Sequence, residues 1–271
     1  MKSVLLHIHD DRGAESRLQA ACDMVRATDG HIHCVQVTTL PDFVAADMYG
    51  GASLAPAMVD ELHAMDEKLR ARTEERLRRE GVSWDWRQAD GDIVRGLLSA
   101  AKLSDAIVAT LPEGMRRDYH DPLPLCADLA LAGRTPVMAV PQSARAMMVA
   151  GRALVAWDGS QEAAAALRGA VPLLKLAQEV HVVTVEEAGK YPFPATDAPE
   201  YLARHGVMTQ LHTWPQDGRA VADALMAAIR VLKPDWLAMG AYGHSRLREY
   251  VFGGVTRTVL QEVRVPVLLA H

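Results

Sequence analysis

Two tandem α/β domains, each a five-stranded parallel sheet flanked by helices, are what this 271-residue sequence predicts. Short apolar runs alternate with helix-like stretches along the whole chain. The series of runs is traversed twice, and glycines cluster after the fourth run of the second series. Alternation of this kind implies parallel strands joined by right-handed crossovers, with helices on both faces. The length suits two domains of ordinary size, and an apolar content of 49% suffices for a core in each.

In the first series, residues 4–8, 32–37, 82–86, 106–109 and 137–140 read as strands, and 14–27, 57–79, 92–103 and 122–132 as helices. Over 57–79, Met58, Leu62, Met65, Leu69 and Leu77 form an apolar stripe among arginines and glutamates, the pattern of a helix laid on a core. The second series places strands at 153–157, 180–185, 207–213, 236–239 and 267–270. Pairing Asp10 with Asp158 carries through ungapped to Val37 with Val185. The match resumes with Gly81-Val82 on Gly206-Val207, Gly91 on Gly218, Asp105 on Asp235 and Arg134-Thr-Pro-Val on Arg264-Val-Pro-Val. The first half therefore carries an insertion between its second and third strands, occupied by the long charged helix. A repeat of this size is a duplicated domain. The expected domains are 1–145 and 150–271, joined through the polar stretch from Pro141 to Gly151.

A formal net charge of −5 without long like-charge blocks argues against nonspecific binding to nucleic acid or anionic membranes. The first ten residues read as a strand ending in acid rather than as a signal segment, and no apolar run approaches the ~20 residues of a membrane span. Cys22, Cys34 and Cys126 show no CxxC spacing and read as buried apolar thiols. A soluble, cytoplasmic protein is expected. His7 and His9 end the first strand while His31 and His33 begin the second. In parallel strands that places the two pairs at opposite edges, about 20 Å apart at ~3.3 Å per residue, too far to share one metal. No metal ligands are assigned.

Ligands of open parallel sheets sit beyond the carboxyl ends of the strands. There, after the fourth strand of the second half, the sequence reads Gly240-Ala-Tyr-Gly243, then nine residues to Gly253-Gly254-Val255-Thr256 and a helix. Glycines let the main chain turn sharply and approach a ligand, and free N–H groups at a helix N-terminus attract anions. The spacing resembles the universal stress protein nucleotide motif, Gly-x2-Gly-x9-Gly-(Ser/Thr), with a closing Pro-Val strand. Leu154-Val-Ala-Trp-Asp158-Gly-Ser160 resembles that family's first strand. The resemblance covers 152–271 well and 1–140 weakly.

It implies Rossmann-like domains of the adenine-nucleotide alpha hydrolase type that bind ATP, ADP or AMP, with Mg²⁺ accompanying the triphosphate. Carried over residue by residue, Ala156 and Trp157 line the adenosine cleft and Val185 offers main-chain contacts to adenine. Asp158 stands near the ribose and the triphosphate–metal region. Met239, Gly240, Tyr242 and Gly243 wrap the ribose and first phosphates, and Gly253, Gly254 and Val255 hold the outer phosphates. Gly254 stands where the family has Ser or Thr, so that hydroxyl is lost unless Thr256 supplies it. Arg246 and Arg248, inside the loop, are either phosphate partners or solvated charges.

In the first half, Thr110 falls on Gly240, Glu113 on Gly243, and Leu123-Pro124 on Gly253-Gly254, so every cradle glycine is gone. The family resemblance implies that this half is a partner domain, the two halves packing as an intrachain pseudo-dimer through their closing strands. A homodimer and a further protein partner stay open. The expectation is a non-catalytic adenine-nucleotide-binding stress-response protein, with no catalytic residues. The alternatives are a nucleotide-free interaction module of the same fold and a slow ATPase.

Overall fold

The computed structural model describes residues 1–39, 55–114, 124–186, 194–243 and 254–271. The first half runs β1 (Ser3–Ile8), α1 (Ala14–Thr28), β2 (His31–Thr38), α2 (Ala55–Glu80), β3 (Ser83–Asp90), α3 (Ile93–Ala100), β4 (Ala106–Leu111), α4 (Leu125–Ala132) and β5 (Val137–Pro141). The second runs β6 (Arg152–Ala156), α5 (Gln161–Leu174), β7 (Glu179–Glu186), α6 (Asp197–Arg204), β8 (Gln210–Pro215), α7 (Val221–Leu232), β9 (Trp236–Gly240), α8 (Gly254–Glu262) and β10 (Val267–Ala270). Every expected strand is present. The third strand of each half begins later than its apolar run, because Val82 and Val207 belong to the turns after left-handed Gly81 (φ 65°) and Gly206 (φ 78°).

Each half is a parallel sheet, and the two join edge to edge. The order is β3-β2-β1-β4-β5-β10-β9-β6-β7-β8, with β5 and β10 antiparallel and Met138 opposite Leu268. Closing strands that are buried along their length would leave unpaired backbone groups at an edge; pairing with each other satisfies them. One apolar cluster lies on the α1 and α5 face, the other on the α3, α4, α7 and α8 face, and both contain residues of the two halves. Cys22, Cys34 and Cys126 are all buried, as expected of apolar thiols, and burial pushes the Cys22 thiol pKa up to about 11.

Two sequence expectations are corrected. On α2, Leu77 is buried and Leu69 packs against the core, but Met65 is 60% exposed. The inward position beside it belongs to Asp66, whose carbonyl accepts from Gln36 Nε2 and whose carboxylate accepts from Thr38 Oγ1 of β2. The ungapped pairing of Asp10 with Asp158 is also displaced. Asp105 N donates to Ser3 O as Asp235 N donates to Arg152 O, each at 2.7 Å, so Ser3 stands where Arg152 does. Counting along the strands then sets His9, not Asp10, opposite Asp158. A longer link between β1 and α1 absorbs the difference.

His7, on β1, is 2% exposed, and neither ring nitrogen has a hydrogen-bond partner among the described residues. Burial above all, then the nearby Arg17 and His9, holds its pKa well below 6.5. In the unfolded chain it titrates at about 6.5, so protons favour unfolding. The stability tied to a neutral His7 is therefore complete above about pH 6.5 and shrinks as pH falls below it. Urea titrations between pH 7.5 and 5.5 should show this decline and a shallower one in His7→Leu; equal slopes would contradict a buried neutral imidazole.

Candidate functional site

A cleft of about 280 Å³ opens at the carboxyl ends of β6 and β9, between the first turn of α5 and α8. It brings together Ala156, Trp157, Asp158, Val185, Met239, Gly240, Tyr242, Gly243, Gly254, Val255 and Thr256. Gly253 lies outside the described residues, as do His244, Arg246 and Arg248. Ser160, part of the Asp-Gly-Ser strand end, also lines the cleft, and residues without a sequence signal complete the lining: Val221 and Leu225 from α7, Val183 from β7, and Glu162 and Ala163 in the first turn of α5.

The loop after β6 is held by its own side chains. Asp158 Oδ1 accepts from Ser160 N at 3.0 Å and from Ser160 Oγ at 2.6 Å. Ser160 Oγ in turn caps α5 by accepting from Ala163 N at 3.1 Å, the exchange expected of a serine N-cap. Asp158 is thus fixed at the cleft with one oxygen engaged by the turn. Trp157 buries its indole in the core cluster of the α5 face, and its Nε1–H donates to Pro194 O at 3.3 Å.

Close approach explains Gly240. A Cβ there would stand 2.5 Å from Ala163 N and 2.7 Å from Glu162 C, so the end of β9 meets the first turn of α5 only without a side chain. At Gly243 the nearest atom is the flexible end of Glu162, Oε2 at 2.8 Å, and at Gly254 there is open space. Tyr242 adopts φ 61°, uncommon for a non-glycine residue, and its N–H donates to Thr256 Oγ1 at 3.2 Å. Thr256 is buried, and this bond ties the start of α8 to the turn after β9. Burial raises the Tyr242 phenol above its ordinary pKa of 10.0, so it stays protonated at neutral pH. Asp158 and Glu162 are the charged groups among the described lining residues, and both are acidic.

The universal stress protein family profile matches residues 150–271. The second half belongs to the universal stress protein family. Among solved structures, a universal stress protein from Archaeoglobus fulgidus is similar over 99% of this chain and 97% of its own, at 18% identity and a TM-score of 0.76. A protein from Pseudomonas aeruginosa described as a putative universal stress protein is similar over 100% and 93%, at 18% identity and a TM-score of 0.62. Both likenesses extend the shared fold through the first half. Among curated proteins, none matches the chain.

Against the universal stress protein domain, the first half is rebuilt at the equivalent place. Asp11 Oδ1 accepts from Gly13 N at 2.7 Å, the turn that Asp158 makes with Ser160. Its other oxygen is held by Arg17 at 2.8 Å, and the same guanidinium bonds His9 O at 2.7 Å and Thr110 Oγ1. Arg17 is 1% exposed and joins the end of β1 to Thr110, the counterpart of Gly240. Glu113, in the place of Gly243, accepts from Ser143 N and Oγ and faces Arg264 Nε of the second half at 3.5 Å. Pro124, which has no N–H, is the N-cap just before α4, and Leu123 lies outside the described residues.

Proposed function

We propose that the second domain binds one adenine nucleotide per chain, ATP with Mg²⁺ or else ADP or AMP, and that the protein acts in stress response as a non-catalytic binder. In this reading residues 1–145 are a degenerate partner domain and 150–271 the binding domain. One observation carries it: the cleft at the ends of β6 and β9 gathers every described residue that the family motif implicates. Val183, Val185, Leu225 and Met239 offer an apolar wall for a base, while Gly240, Gly243 and the start of α8 offer main-chain N–H groups to phosphate. With Asp158 and Glu162 as the described charges, a triphosphate requires a cation between it and the carboxylates, the role of Mg²⁺. Among the described residues of the first half, Arg17 is engaged by Asp11 and a carboxylate, Glu113, stands in the place of Gly243, an arrangement that does not favour a phosphate.

Calorimetry with ATP and Mg²⁺ should give a ratio near one, and omission of Mg²⁺ should weaken ATP far more than AMP. Two equivalent sites, or none for ATP, ADP and AMP at millimolar concentration, would defeat this reading; the latter outcome favours an interaction module. Steady phosphate release near the ~10 s⁻¹ of a median enzyme, lost in Asp158→Ala, would make it an ATPase.

Gly254 has free space at its Cβ direction, so the hydroxyl that the family carries there can be restored without a clash. Gly254→Ser should tighten ATP binding by up to about tenfold, the effect of one added hydrogen bond to a charged group. Unchanged affinity would mean that main-chain donors already saturate that phosphate.

A further inference from the structure

We propose that His31, His33 and Asp85 form a site for one zinc-class divalent cation on the first half's sheet. Strand residues two apart share a face, so β2 presents both imidazoles together. The parallel register sets Ser83 beside His31 and Asp85 beside His33. Asp85 Oδ2 lies 3.1 Å from His31 Nε2 and 2.8 Å from His33 Nδ1, and ligand atoms of all three residues fall within 4.8 Å of one another. Tetrahedral zinc with N and O ligands at ~2.0–2.1 Å holds adjacent ligand atoms about 3.3 Å apart, so both Asp85–imidazole separations are already near that value and a turn of the two imidazoles toward each other, within a cluster no wider than 4.8 Å, completes the geometry.

The surroundings suit ligation as well. Ser83 Oγ lies 2.7 Å from His31 Nδ1, the outer partner that fixes the tautomer of a ligating imidazole and leaves Nε2 to the metal. Side-chain exposures of 33%, 38% and 54% for His31, His33 and Asp85 leave the fourth position to water. Two imidazoles and a single carboxylate favour zinc over magnesium or calcium, which take oxygen ligands. The second half has Glu179, His181 and His212 on its corresponding strands, arranged otherwise. There Arg152 Nε already holds Glu179 Oε2 at 2.8 Å, and His181 Nδ1 meets His212 Nε2 at 2.9 Å.

The test uses the full chain, stripped of metal by a chelator and titrated with Co²⁺ and then Zn²⁺. One equivalent of Co²⁺ should give the intense visible bands of a tetrahedral site, displaced by Zn²⁺. The bands should fall at least tenfold in His33→Ala and Asp85→Ala and persist in His212→Ala. Asp85→Asn keeps the side chain's shape while weakening ligation, so it too should lose the bands even where an alanine variant folds poorly. Weak, octahedral-type absorption in the wild type, or bands that survive His33→Ala and Asp85→Asn, would overturn the site and leave a hydrogen-bonded His–Asp cluster.

Discussion

Gly243→Asp is expected to weaken ATP binding by at least about a hundredfold while leaving the thermal melt unchanged. Gly243 is exposed at the cleft mouth, so a side chain there costs the fold little. Its Cβ would point at Glu162 Oε2, 2.8 Å away, and the new carboxylate would form a like-charged pair with Glu162 where phosphate is proposed to lie. A carboxylate there and a phosphate charge ~4 Å away, at an effective dielectric of ~20, repel by about 4 kcal/mol, more than the ~2.8 kcal/mol that a hundredfold loss requires. Calorimetry on the folded variant decides the matter. Affinity within threefold of wild type would move the phosphates away from Gly243. Gly240 does not serve as the same probe, since any side chain there meets the main chain of α5 and the fold suffers first.

Arg17→Met should destabilise the protein by about 3 kcal/mol without adding a second nucleotide site. Arg17 is 1% exposed and satisfies Asp11 Oδ2, His9 O and Thr110 Oγ1 together. Removing one partner of a buried ion pair typically costs ~3–5 kcal/mol, because the other charge stays desolvated. Asp11 keeps 29% side-chain exposure, so water relieves part of that cost and the lower figure applies. Methionine retains most of the side chain's volume, which keeps a cavity from dominating the result. Urea unfolding at pH 7 measures the change. A loss below about 1 kcal/mol would mean that Arg17 merely fills space. A binding ratio rising toward two would mean that Arg17 alone closes the first half to nucleotide.

Much of the molecule was legible in the sequence because the signals were local. Ten runs became ten strands: the central ones are apolar and buried on both faces of the sheet, while the edge strands β3 and β8 alternate between exposed and half-buried residues. Gly81 and Gly206 marked equivalent left-handed turns, and the spacing from Gly240 to Gly254 marked the cleft together with Ala156, Asp158 and Val185. The closing Pro-Val strands, read through the family resemblance as the contact between halves, do pair as β5 and β10.

What the sequence hid depends on residues far apart in the chain. Arg17 meets Thr110 across 93 positions, and His33 meets Asp85 across 52, separations at which neither charge nor periodicity reveals a partner. The equivalence of Asp10 and Asp158 failed because an ungapped alignment cannot see a longer loop, whereas the strand register can. Thr256, which the family resemblance offers as a substitute hydroxyl, also accepts from Tyr242 N fourteen positions earlier, a bond at the left-handed turn that its place in the sequence did not reveal. The sequence by itself therefore determined the repeated strand order and the place of the cleft. Only the tertiary structure decided which charges neutralise one another, because that choice follows from register and burial, which are set when distant strands pair.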